Sequence, residues 1–164
     1  MNIQFDFIGE INNDNLLALR NFIEIQESPI SSLTINISSL GGSVCTGITL
    51  YNYLKGKSFQ ITTHNLGEVS SSALLLYLAG TVRTAAPVSK FMIHPVKIGI
   101  GGELPYFQVE EILKNINADI NNYAKIVNLE TNGLNQLYDV DKYLRTDSLT
   151  LDIEAAKQCG IVTA

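Results

Sequence analysis

Three consecutive serines, Ser70-Ser71-Ser72, lead into the apolar run ALLLYLAG. Each hydroxyl has two uses open to it. Serine is among the best helix N-caps, because its oxygen accepts from an orphan N–H of the first turn. A serine at a strand-to-helix turn can instead be a nucleophile, since it meets the positive end of the helix dipole and the next N–H points at a developing oxyanion. Spacing alone favours capping and does not rank the three. A nucleophilic serine also needs a base within hydrogen-bond reach. Only His64 and His94 exist to supply one, and each ends a β-rich segment; alone, either is more often a structural residue.

Gly41-Gly42 adds a turn whose missing Cβ atoms let backbone N–H groups approach a substrate carbonyl. Gly-Gly is also a common tight turn with no further role. Asp139, Asp141, Asp147 and Asp152 could orient an imidazole, although solvated loop charge is the ordinary role of each. Lys90 is a candidate base for a serine–lysine pair. Neither GxxxxGK[ST] nor GxGxxG occurs, so the glycines do not form a phosphate loop. Cys45 and Cys159 stand far apart with no CxxC, so neither a zinc site nor a disulfide framework is expected, and no metal or cofactor.

These residues need elements to position them. Ile3, Phe5 and Phe7 alternate with polar residues as in a strand. Leu16, Leu19, Phe22 and Ile23 predict a helix over residues 14–26, with caps available at 12–14. A strand follows at 33–37, then the Gly-Gly turn, then a helix at about 46–55. The pattern repeats: strand at 59–63, a break at 65–68, helix at 71–78. Residues 90–94 form a further strand stopped by Pro95, and a glycine-rich loop at 99–102 precedes a long helix at about 105–130. In that helix Val109, Ile112, Leu113, Ile116, Ile120, Tyr123 and Val127 keep a three–four spacing up to Asn132-Gly133. A short helix over 154–157 ends at Gly160. Strand–turn–helix repetition predicts one α/β domain over residues 1–164, with parallel strands and sites where strands end and helices begin.

Composition narrows the function classes. The net charge is −5 and the pI about 4.9, with no Lys/Arg cluster, which argues against nucleic acid as a partner. The longest charge-free apolar run, residues 69–82, is too short for a bilayer, and the first ten residues do not read as a signal peptide. A cytoplasmic protein without membrane contact is expected. Hydrophobic residues make up 46% and charged ones 16%, a lightly charged exterior that suits a subunit of an oligomer.

Taken together, LTINISSLGGSVCTGITLYNYL, GEVSSSALLLYLAG and SKFMIHP resemble, in this order and spacing, the Clp protease proteolytic subunit, a serine peptidase family of crotonase-like fold. The family's Asn-Ser-Pro-Gly-Gly turn appears as residues 38–42, its nucleophile turn as 67–72 and its Met-Ile-His as 92–94. The likeness continues into 131–134 and 154–162, so it covers nearly the whole chain.

The resemblance implies an α/β spiral of β-β-α units with a protruding long helix, the latter serving oligomerisation. It implies Ser71 as nucleophile, His94 as base and an oxyanion hole from the N–H groups of Gly42 and Ser72. Asp147 is the expected triad acid, counted forward from Gly133, whereas counting back from Gly160 reaches Ser148. Substrate would lie extended between Gly41 and Val44 on one side and Ile98, Gly99 and Ile100 on the other. The implied partners are a peptide or unfolded polypeptide, further copies in a ring of seven or stacked rings, and an AAA+ unfoldase. A catalytically silent ring subunit, or an acyl-CoA enzyme of the same fold, is the alternative. Leu40 replaces the turn proline, and Pro95 follows His94 where the family generally has a polar residue.

Overall fold

The computed structural model describes residues 1–132 and 134–164. β1 (Asn2–Ile8), β2 (Ser32–Ser39) and β3 (Gln60–Ser70) lie side by side and parallel. On β2 the alternate residues Leu33, Ile35 and Ile37 are fully buried and those between are half-buried, the period of two that a sheet imposes. Parallel neighbours need crossovers, which α1 (Asn13–Glu24) and α2 (Val44–Lys55) provide. A side chain starts each helix: Asn12 accepts from the Asn15 N–H, and Ser43 from that of Thr46.

β3 is longer than the residue pattern predicts. The break expected at 65–68 does not occur; the strand continues to Ser70, and α3 (Ala73–Leu78) begins only after the serines. Asn65 explains the difference. Its Nδ2 donates to the Lys90 carbonyl and its Oδ1 accepts from the Gly67 N–H, so a residue typical of turns ties two strands together. The β2 register shifts here, Ile37 facing Asn65 but Ser39 facing Val69. The length of β3 lets it serve two neighbours. β4 (Val82–Ala85) pairs with Thr62–Asn65, and β5 (Lys90–Ile93) with Glu68–Ser70, both parallel. β6 (Leu149–Leu151) adds antiparallel to β5, giving the order β1-β2-β3-β5-β6 with β4 beside β3. β4 and β6 are too short to show in a periodicity reading.

α3 is buried at every position, packed against β3, α2 and α4 (Tyr106–Glu130). The second half of α4 buries Ile120, Tyr123, Ile126 and Val127, while Tyr106, Phe107 and Leu113 in its first half are exposed. The helix ends at Glu130; the expected stop at Asn132-Gly133 falls partly outside the described residues, since Gly133 is not among them. α5 (Leu134–Leu137), α6 (Val140–Arg145) and α7 (Ile153–Gln158) complete the chain. Among the described residues no helix is long and apolar enough to cross a membrane.

One buried cation ties the end of the chain to this frame. Arg83, on β4, is 5% exposed, and its guanidinium donates to the carbonyls of Gly80 (3.2 Å), Glu130 (2.7 Å), Gly160 (2.9 Å) and Ile161 (2.8 Å). The Glu130 carboxylate lies 3.7 Å away.

Candidate active site

The three serines have three different fates, and none caps α3. Ser70 is buried and donates to Glu68 at 2.6 Å. That bond, and then Lys90 at 3.1 Å, holds the Glu68 carboxyl below its ordinary value. Lys90 is therefore an ion-pair partner and not a free base. Ser72 precedes α3, yet its hydroxyl makes no cap bond and is a buried side-chain oxygen without a partner.

Ser71 differs in its backbone. Its φ of 55° makes it the one non-glycine residue with positive φ among those described. An L-residue there costs about 1–3 kcal/mol and persists only where its surroundings hold it. Its N–H donates to the Met92 carbonyl at 2.8 Å, and its carbonyl accepts from Tyr123 Oη at 2.9 Å and from the Leu74 N–H at 3.0 Å. Gly41 closes the remaining side. A Cβ on Gly41 would fall 2.6 Å from Ser71 Cβ and 2.8 Å from the Ser70 carbonyl, so only glycine fits. This is the strained strand-to-helix elbow that lifts a serine hydroxyl clear of its own backbone.

Sheet register assembles the rest. Ser39 faces Val69 and Ser70 faces Met92, so the Gly-Gly turn, Ser71 and His94 all follow the carboxyl ends of adjacent parallel strands. Ile11 fixes the turn from outside: its N–H donates to the Gly41 carbonyl and its carbonyl accepts from the Ser43 N–H, both at 2.9 Å. These bonds skip Gly42. Among the described residues neither the Gly42 nor the Ser72 N–H has a backbone acceptor; Gly42 lines the cavity beside Ser71, whereas Ser72 is fully buried.

His94 and Ser71 line one cavity of about 320 Å³, together with Val44, Cys45, Val96 and Ile98. No hydrogen bond joins the two in this structure. His94 Nδ1 lies 3.0 Å from the Pro95 carbonyl. A carbonyl can only accept, so in the neutral ring Nδ1 carries the proton and Nε2 keeps its lone pair.

The four acids are all occupied elsewhere. Asp139 and Asp152 cap α6 and α7, and Asp141 pairs with Arg145 at 2.8 Å. Asp147 is not brought to His94. Its carboxylate binds Lys142 at 2.9 Å and accepts from the Ser148 N–H at 2.8 Å, and these two groups hold its pKa down. The physical reason is register: Ile93 faces Leu149 in an antiparallel pair, so one step further His94 comes level with Ser148 and Asp147 lies beyond it. His64 pairs with Thr84 Oγ1 at 2.7 Å on β4 and takes no part.

Of the expected substrate-contacting residues, Val44 and Ile98 line the cavity, and Gly41 abuts Ser71. Gly99 and Ile100 lie in the exposed loop beyond it. Three contributors escape the pattern reading: Ile11, Tyr123 and Asp119. Tyr123 reads as one more apolar residue of the α4 stripe. Asp119 was visible as an acid set three residues after Ile116 and four before Tyr123, on the edge of that stripe, and it lines the same cavity.

Comparison with known proteins agrees with this geometry. A ClpP1 point mutant from Listeria monocytogenes superposes with a TM-score of 0.74 over 97% of this chain and 88% of its own, at 24% identity, which establishes the crotonase-like fold. The ATP-dependent Clp protease proteolytic subunit of Ligilactobacillus salivarius is 34% identical over 113 residues, 65% of this chain and 57% of its own length. Proteolytic subunit 1 of Corynebacterium jeikeium is 32% identical over 101 residues, 58% of this chain and 54% of its own. The matched region thus spans about half the length of these curated relatives. The Clp protease family profile matches residues 9–164, which takes in the Gly-Gly turn, the serine elbow, His94 and the α7 region together, and the chain belongs to the Clp protease family.

Proposed function

We propose that the chain is a serine peptidase subunit that cleaves peptides or unfolded polypeptides inside a homo-oligomeric ring. The observation that carries this reading is Ser71 itself. A strained φ, held by Met92, Tyr123 and Gly41, has no use in a capping serine and presents the hydroxyl to the cavity that His94 shares.

In the reaction, Ser71 Oγ attacks the substrate carbonyl while His94 Nε2 takes its proton. The carbonyl oxygen becomes an anion between the N–H groups of Gly42 and Ser72, each such donor typically worth about 3 kcal/mol in the transition state. Collapse of the intermediate breaks the C–N bond, and His94 returns the proton to the departing amine. Water then repeats the sequence on the acyl-enzyme and frees Ser71. Substrate would lie between Gly41 and Val44 on one side and Ile98 to Ile100 on the other. The Pro95 carbonyl orients His94 but carries no full charge to stabilise the imidazolium. For Asp147 to be the third member, its carboxylate would have to exchange Lys142 for the Nδ1–H of His94.

Assembly into a ring, heptameric by family resemblance, is supported by the exposed Tyr106, Phe107 and Leu113 on the projecting half of α4. Feeding by an AAA+ unfoldase belongs to the same proposal. The decisive experiment is treatment with a fluorophosphonate probe and location of the adduct by mass spectrometry. Labelling of Ser71, absent in Ser71→Ala and weakened in His94→Ala, is expected. A chain that stays unlabelled where another serine peptidase reacts is a silent ring subunit. Light scattering at micromolar concentration should show an oligomer, and a monomer would remove the chamber from the proposal.

A further inference from the structure

The cavity beside Ser71 is apolar on its walls and acidic at one point. Val44, Val96, Ile98 and Ile116 surround it, and Asp119 on α4 is its acid. Asp119 stands one helical turn before Tyr123, about 6 Å along the axis, and Tyr123 holds the Ser71 carbonyl at 2.9 Å. The carboxyl is therefore fixed relative to the nucleophile by the same rigid helix. It is half-buried, and partial burial raises its pKa; among the described residues no hydrogen bond or cation offsets the cost. Lys97 lines the same cavity but is exposed and makes no ion pair with Asp119. The cavity thus holds one carboxylate without a cation paired to it among the described residues.

We infer that Asp119 determines specificity, receiving the ammonium or guanidinium of a Lys or Arg side chain on the residue whose carbonyl Ser71 attacks. The four apolar side chains suit the methylenes of such a residue, which bury their stems and leave only the charge to be matched. A leucine would fill the walls but leave Asp119 unpaired, and a glutamate would add a second negative charge. The inference rests on the peptidase reading for the identity of the ligand, whereas its recognition step can be measured without turnover.

The test uses the full chain carrying Ser71→Ala and two fluorescent pentapeptides that differ only in a central Arg or Leu. Fluorescence anisotropy should give at least about tenfold tighter binding of the Arg peptide. Adding Asp119→Asn should abolish the difference by weakening the Arg peptide, while the Leu peptide binds as well or better, which confirms an intact cleft. Equal affinities, or no binding of the Arg peptide up to millimolar concentration, overturn the inference. With unsubstituted Ser71, Asp119→Asn should raise KM for Arg peptides and bring the ratio of kcat/KM for Arg over Leu peptides towards one. A fall in kcat on both substrates would make Asp119 a partner of His94 and overturn the specificity role. Failure of Ser71 to take the fluorophosphonate would overturn the peptidase reading while the binding result stands separately.

Discussion

The two halves of the site are built to different standards. On the serine side, Ser71 is held by the Met92 carbonyl, the Tyr123 hydroxyl and a glycine packed against its Cβ, and the facing turn is bracketed by both polar groups of Ile11. On the histidine side, His94 leaves the end of a four-residue strand, makes one hydrogen bond with its own neighbour, and the acid expected to serve it, Asp147, is committed to Lys142. Strain explains the asymmetry. A positive φ on an L-residue needs enforcement from several directions, whereas an imidazole in an ordinary rotamer needs only a tautomer-setting acceptor. On the proposed reading Ser71 is thus set before a substrate arrives, and His94 is completed by it.

Substitutions can break this contrast. The largest effect is expected at His94. His94→Ala should lower kcat/KM by about three orders of magnitude or more, whereas Asp147→Asn should change it less than about tenfold, because the Pro95 carbonyl and not Asp147 holds Nδ1. A loss near ten-thousandfold in Asp147→Asn would restore a full triad, and Lys142→Met should then raise activity.

Next comes the turn. Gly41→Ala places a Cβ against backbone at φ +98° and should destabilise the fold by about 2–4 kcal/mol while abolishing Ser71 labelling. Gly99→Ala, with nothing within 4 Å of the added atom, should stay within about 0.5 kcal/mol of the parent. Urea unfolding measures both, and similar values would show that the turn yields. Tyr123→Phe keeps the ring and removes one hydrogen bond, so it should cost about 1 kcal/mol of stability and slow Ser71 labelling. Stability loss without slower labelling would mean that Tyr123 serves the core alone.

The smallest effect has an unusual sign. Partial burial raises the Asp119 pKa in the folded state, so ionising it penalises folding. The penalty is absent below the unfolded value near pH 4 and complete once the pH exceeds the folded value. Asp119→Asn should therefore raise Tm at pH 7 and lose that advantage in acid. A lower Tm at pH 7 would mean that the carboxylate is already paired.

What the residue pattern disclosed follows from range. Strands with clean alternation and helices with a three–four stripe are local properties, and β1, β2, α2 and α4 lie within a few residues of where periodicity places them. The errors fall where a distant partner overrides local chemistry. Asn65 looks like a turn residue and becomes a strand tie because Lys90 offers a carbonyl. Ser72 looks like a cap and is a buried hydroxyl instead. Asp147 and Ser148 differ by one residue in a count along the chain, and only the pairing of β6 with β5 separates them. Asp119 could be seen at the edge of an apolar stripe, but nothing local says that the stripe borders the cavity beside Ser71.

Arg83 couples the serine elbow to distant parts of the sequence. Its four carbonyl acceptors belong to Gly80, Glu130, Gly160 and Ile161, so one side chain joins three segments far apart along the chain. Opening any of them would leave a buried guanidinium short of acceptors, a loss of several kcal/mol in a fold whose whole margin is of that order. β4, which carries Arg83, pairs with the strand that ends at the serine elbow. The backbone around Ser71 and the segments at 80, 130 and 160–161 are thus expected to open together, as one cooperative unit.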